Sequence, residues 1–161
     1  MKVVTLGATR GIGRSLARLF AERGDSIHLL GRNAEDLARA AEDLKARGAG
    51  AVSTGVCDLM QPESFAAAFD AADAALGGFD TVVLSAGVFG TQDQLANDRA
   101  RAAQVLTANF TNSVLFCEEA RVRLLARGGG RLAVFSSVAG ERGRIPVVIY
   151  GSTKAGLSAY L

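Results

Sequence analysis

Little in this sequence suits it to hold a metal, build a disulfide framework or cross a membrane. The two cysteines, Cys57 and Cys117, fit no metal-ligand spacing, and the one histidine, His28, has no partner ligand nearby. No metal is expected, and all three read as buried filler. Two prolines stand against 19 glycines, a balance that suits tight strand-to-helix turns better than extended loops. Neither sign of charge is in excess: 18 basic residues face 16 acidic ones, spread along helical-looking stretches without a tail or block. That argues against a nucleic-acid partner. No apolar run approaches bilayer length, and Met1 leads into a short strand with no signal-peptide core, so the expectation is a soluble, cytoplasmic protein with no membrane partner. With 49% hydrophobic residues in 161, the chain has material for one core, and residues 1–161 are expected to form a single domain.

What is present is an alternation of short apolar runs with helical periodicity. Lys2 to Leu6 is such a run, and Gly11 to Arg23 follows as a helix with Ile12, Leu16, Leu19 and Phe20 on one side. Between them lies Gly7-Ala8-Thr9-Arg10-Gly11-Ile12-Gly13. Glycines there let the backbone turn tightly and let an anionic ligand approach the exposed N–H groups at a helix start. The plain alternative is a glycine turn with no ligand, but the flanking strand and helix supply the context that the phosphate-binding reading needs.

Ser26 to Leu30 reads as the second strand and ends at Gly31-Arg32-Asn33. In dinucleotide-binding folds an acidic residue here takes the ribose hydroxyls, whereas a basic one accommodates a 2′-phosphate. Arg32 stands at this point with no Asp or Glu, and Arg10 supplies a second cation, so NADP is favoured over NAD. Alternatively, Arg32 is a solvated surface residue and Arg10 packs its stem on the turn.

Asn33 reads as the N-cap of a helix from Ala34 to Arg47, with Asp36 at its third position complementing the helix dipole. Ala51 to Val56 makes a third strand, closed by Cys57-Asp58-Leu59. Asp58 either accepts the adenine amino group or caps the following turn. A helix from about Glu63 to Leu76 precedes the strand Thr81 to Leu84, which runs into Ser85-Ala86-Gly87, residues small enough to let the backbone lie against a cofactor. From about Ala96 to Arg127 a long helix is expected, with Ala103, Leu106, Phe110, Val114, Leu115 and Val122 on a broad buried face. Asn109 within it is on its own terms a core hydrogen-bonding or helix-bending residue. Arg131 to Phe135 forms the fifth strand. The whole predicts an α/β fold, a Rossmann-like doubly wound parallel sheet ordered 3-2-1-4-5, with ligands at the carboxyl ends of the strands.

The stretch from Ser136 to Lys154 carries the chemistry. Tyr150 and Lys154 stand at i and i+4 and project from one face of a helix, where an ammonium favours the phenolate of a tyrosine whose pKa in water is about 10. Ser137, thirteen residues before Tyr150, offers a hydrogen-bond donor.

Gly7-x3-Gly11-x-Gly13, Ala86-Gly87, Asn109, Ser137 and Tyr150-x3-Lys154 together resemble the short-chain dehydrogenase/reductase family, over the entire chain. The resemblance implies carbonyl-to-alcohol interconversion by hydride transfer. Tyr150 would exchange the substrate proton, Ser137 would bind the developing alkoxide, and Asn109 would hold a relay water. Lys154 would lower the tyrosine pKa and bind the nicotinamide ribose. Cofactor contacts are expected from Gly7, Thr9, Arg10, Gly11, Ile12, Gly13, Arg32, Asp58, Leu59, Ser85, Ala86, Gly87, Tyr150 and Lys154. Ser85 departs from the family's usual asparagine, so that residue's contacts to neighbouring strands are not carried over. The family also implies a homo-oligomer, a dimer or tetramer when full length, acting on a small-molecule carbonyl or alcohol. At Ser158-Ala159-Tyr160-Leu161 the apolar periodicity is still running, so the helix is expected to be cut short and the substrate-covering part to be absent. The competing expectation is therefore a catalytically inactive nucleotide-binding fragment, or an interaction module pairing through the Phe110 and Tyr150 helices.

Overall fold

Strands that are apolar on both faces need cover on both faces, and crossover helices supply it. The computed structural model describes residues 1–161 and places β1 (Lys2–Leu6), β2 (Ser26–Gly31), β3 (Ala51–Val56), β4 (Thr81–Leu84) and β5 (Arg131–Val134) in one sheet. Its order is β3-β2-β1-β4-β5, and every neighbouring pair is parallel. The chain therefore winds outward from β1 in one direction, returns, and winds outward in the other. A crevice opens where β1 and β4 diverge toward their helices, which is the usual ligand position in such sheets.

Helices α1 (Gly11–Glu22) and α2 (Ala34–Ala46) cover one face. Their small residues Ala17, Ala21, Ala40 and Ala41 pack with Ile27, Leu29, Leu37 and Leu44. Helices α3 (Phe65–Leu76) and α6 (Asn112–Ala126) cover the other, around Phe65, Phe69 and Phe116; the Phe69 and Phe116 ring centroids lie 4.9 Å apart. The split follows strand alternation: Ile27 and Leu29 point to one layer and Leu30 to the other. The short α4 (Gln92–Ala96) and α5 (Arg99–Leu106) precede α6, and α7 (Val148–Tyr160) closes the chain. No helix is long and apolar enough to cross a membrane.

Two helix faces differ from expectation. In α1 the buried residues are Gly13, Ala17 and Ala21, while Ile12 and Leu19 are 70% and 62% exposed and Leu16 and Phe20 are half-buried. The cause is close approach: a Cβ on Gly13 would stand 2.5 Å from the Gly7 carbonyl oxygen. Only the small-residue side of the helix fits there, and the larger side chains are displaced to the flanks.

The expected single helix from Ala96 to Arg127 is instead α5, a π-helical turn over Thr107–Thr111, and α6. The wider turn shifts the phase of the apolar stripe. Val105, Ala108, Phe116, Cys117, Ala120 and Leu124 face the core, whereas Leu106, Phe110, Leu115 and Val122 are exposed. Ala103 is exposed and Val114 half-buried.

The three residues read as filler are buried, Cys57, Cys117 and His28 alike. Burial pushes the thiols up, Cys117 to about 12, and neither is a nucleophile near neutral pH. His28 bonds Ser53 Oγ through Nδ1 at 2.7 Å, while its Nε2 has no partner. Burial pushes its pKa down from 6.5 to about 4. A depressed histidine destabilises in acid, because the unfolded chain takes up the proton first as pH falls through 6.5 while the folded protein resists until about 4. Stability is expected to drop by about 3 kcal/mol across that window. Urea unfolding at pH 7 and pH 4.5 should show the drop in the native protein and a much smaller one in His28→Leu. Equal drops in both would assign the titration to another group.

Candidate active site

The glycine turn is built by contacts that only glycine permits. Gly7 and Gly11 have φ of 102° and 55°, in the left-handed region that other residues avoid. A Cβ on Gly7 would also stand 2.4 Å from the Ala86 nitrogen, and one on Gly13 would lie 2.3 Å from Ser85 Oγ. The turn therefore nests against the end of β4. Ser85 Oγ donates to the Leu6 carbonyl at 3.2 Å, so the strand-to-strand link not carried over from the family's asparagine is made here by a serine hydroxyl.

The two helices that start at this edge have different N-termini. At α2, the Asn33 side chain accepts from the Asp36 N–H at 2.9 Å, and Glu35 and Asp36 fill the first turn with negative charge. At α1, no side chain caps the first turn and no acidic residue lies within it. The unpaired N–H groups and dipole of α1 face the space above the glycine turn, the arrangement that receives a phosphate.

That space is a cavity of about 500 Å³ running along the strand ends. All fourteen residues expected to contact a cofactor line it: Gly7, Thr9, Arg10, Gly11, Ile12, Gly13, Arg32, Asp58, Leu59, Ser85, Ala86, Gly87, Tyr150 and Lys154. Reasoning from sequence missed Cys57, Met60, Val88, Gln104 and Ser136, which line it too. Val88 was within reach, since it continues the Ala86-Gly87 exit from β4. Gln104 carries no sequence signal.

At one end Arg32 is exposed, while Arg10 Nη2 donates to Asp36 at 3.0 Å. Asp58 Oδ1 accepts from the Met60 N–H at 3.0 Å, so it caps its own turn while its residue lines the cavity. At the other end, Lys154 is 5% exposed. Its Nζ donates to the Phe135 carbonyl at 2.8 Å, and burial lowers its pKa. One turn earlier on α7, Tyr150 is half-buried and meets the Phe89 ring edge-on, centroids 5.0 Å apart.

Asn109 and Ser137 lie outside the cavity lining. Asn109 is fully buried; its Oδ1 accepts from the Val88 N–H at 2.7 Å and its Nδ2 donates to the Val88 carbonyl at 2.6 Å. Both amide atoms are committed to one peptide segment. A Cβ on Gly87 would stand 3.2 Å from Asn109 Oδ1 and 3.8 Å from Lys154 Nζ, so these three residues meet behind the cavity wall. Ser137 Oγ accepts from the Ala139 N–H at 3.2 Å, which leaves its O–H free to donate. Ser136 Oγ donates to the Lys154 carbonyl at 3.2 Å and pairs with Ser158 Oγ at 2.5 Å, strapping the end of β5 to α7.

A parallel sheet with a glycine turn under an uncapped helix at its switch point defines a Rossmann-type nucleotide-binding fold. The comparisons agree and go further. The family described as short chain dehydrogenase matches residues 1–161, and the chain belongs to it. An uncharacterized oxidoreductase of Streptomyces coelicolor is 40% identical over 98% of this chain and 62% of its own length. An NAD+-bound xylitol dehydrogenase superposes with a TM-score of 0.88 at 28% identity, over 98% of this chain and 60% of that one. An NADPH-bound actinorhodin polyketide ketoreductase shares the fold, with a TM-score of 0.90 at 24% identity over 99% of this chain and 62% of that one. The chain thus spans about three-fifths of the length of these relatives.

Proposed function

We propose that the protein is an NADP-dependent oxidoreductase that interconverts a carbonyl and a secondary alcohol on a small molecule. The observation that carries this reading is the pairing of the two cavity ends: exposed Arg32 and Arg10 at one, and Tyr150 with a buried Lys154 ammonium on one face of α7 at the other. The cavity fits a dinucleotide on its own evidence. Nothing lies within 4 Å of where a Cβ on Gly11 would stand, the α1 N–H groups lack protein partners, and a cation at the end of β2 suits a 2′-phosphate.

The bound nicotinamide would supply or take the hydride; the chain supplies orientation and protons. Gly7 to Gly13 and the start of α1 hold the phosphates, and Ala86 and Gly87 let the backbone lie close to the cofactor. The Tyr150 hydroxyl gives its proton to the carbonyl oxygen in reduction and recovers it in oxidation. The Ser137 O–H donates to the same oxygen, stabilising charge as it develops. The Lys154 ammonium stabilises the phenolate and offers N–H groups to the nicotinamide ribose. Asn109 acts from behind the wall, fixing Val88 and with it the Gly87 backbone that faces Lys154.

The test is cofactor choice. Fluorescence titration should show NADPH binding more tightly than NADH, and Arg32→Asp should reverse the ratio by about tenfold, about 1.4 kcal/mol. An unaltered ratio would remove the phosphate role of Arg32. Absence of binding to either nucleotide would overturn the proposal.

A further inference from the structure

The two guanidinium groups at the adenosine end are not equivalent. Arg32 forms no ion pair, whereas Arg10 is held by Asp36 Oδ2 at 3.0 Å, and Arg39 pairs with Asp36 Oδ1. One carboxylate is therefore shared between an arginine that lines the cavity and one that does not. The carboxylate is the fixed member of this trio. Its backbone N–H is tied to Asn33 Oδ1 at 2.9 Å at the start of α2, and its side chain is 20% exposed, against 83% for Arg10. Arg10 is the member free to move.

We infer that Asp36 sets how strongly the cavity discriminates between phosphorylated and unphosphorylated adenosine ribose, by acting as a counter-ion to Arg10 that a 2′-phosphate must displace or share. The inference rests on the reading of Arg32 and Arg10 as the phosphate-binding pair. A 2′-phosphate approaching Arg32 meets Arg10 already neutralised, and it meets a fixed negative charge beside it. Like charge beside a binding site lowers affinity for the ligand that brings that charge there and leaves the analogue lacking it nearly unchanged, and so adjusts specificity. Arg39 acts in the opposite sense, because it draws on the same carboxylate and loosens the hold on Arg10. Asp36 is thus a positioning residue: it acts through Arg10.

The experiment uses two probes that differ only in the 2′-phosphate, 2′,5′-ADP and 5′-AMP, titrated calorimetrically into the protein. Asp36→Asn should tighten 2′,5′-ADP binding about three- to tenfold and leave 5′-AMP within about twofold, with the gain shrinking at high salt as the charges are screened. Arg39→Ala should weaken 2′,5′-ADP binding by about threefold, a change of opposite sign that a general loosening of α2 does not produce. Asp36→Ser repeats the measurement should the asparagine variant melt early. An unchanged or reduced ratio of the two affinities in the Asp36 variants overturns the inference. Arg10→Ala and Arg32→Ala separate it from the reading beneath: if both weaken 2′,5′-ADP while Asp36→Asn does nothing, only the role of Asp36 falls. If none of these variants alters the ratio, the NADP assignment falls with it.

Discussion

Tyr150→Phe is expected to lower carbonyl turnover by about 10²- to 10⁴-fold, the usual contribution of a positioned general acid, and to leave NADPH binding within about twofold. The substitution removes one oxygen. The ring keeps its edge contact with Phe89 at 5.0 Å, and α7 stays anchored by contacts that do not involve the phenol: Lys154 to the Phe135 carbonyl, and Ser136 to the Lys154 carbonyl and Ser158. Stopped-flow measurement of NADPH oxidation, alongside a fluorescence titration of NADPH, reads the two properties separately. A variant that binds and still turns over at the native rate would assign the proton transfer elsewhere. A native protein that binds NADPH and reduces no carbonyl in an aldehyde and ketone panel would favour a nucleotide-binding module over an enzyme.

The sheet order and the glycine-turn part of the cavity lining were legible because both follow from short-range chemistry. A run such as Thr81 to Leu84, apolar on both faces, demands parallel neighbours with helices above and below. The glycines of the turn declare a backbone conformation within a few residues of where it is needed. Illegible features depend on what approaches from far along the chain. The buried face of α1 is set by Gly13 meeting Gly7 and Ser85, a contact that favours alanine over leucine and so inverts the usual weight given to large apolar residues. The π-helical turn at Thr107–Thr111 rotates the stripe of α6; Asn109 within it is legible as a core or helix-bending residue, but no residue there announces the width of the turn. The pairing of Arg10 with Asp36 spans 26 positions; the sequence presents Arg10 as a free cation and Asp36 as a helix-start residue, and only the fold joins them.

Asn109→Ala is expected to cost about 2–3 kcal/mol of stability and to lower the melting temperature by about 5–10 °C. Both atoms of its amide serve the Val88 backbone, one accepting at 2.7 Å and the other donating at 2.6 Å. Alanine would leave that N–H and carbonyl to find water in a site where Asn109 itself has no exposure. Asn109→Asp tests the geometry more sharply. An aspartate still accepts from the Val88 N–H, but its second oxygen faces the Val88 carbonyl and repels it unless a proton lies between them. The folded protein would then bind that proton more tightly than the unfolded chain, so this variant should gain stability as pH falls, opposite in sign to the loss expected from His28. Thermal melts of both variants at pH 5 and pH 8 measure the effect. A melting temperature unchanged in Asn109→Ala, with turnover reduced, would place the amide in the chemistry. The expected loss of stability, with the pH dependence of the aspartate variant, makes it the clamp that sets Gly87 and Val88 against Lys154.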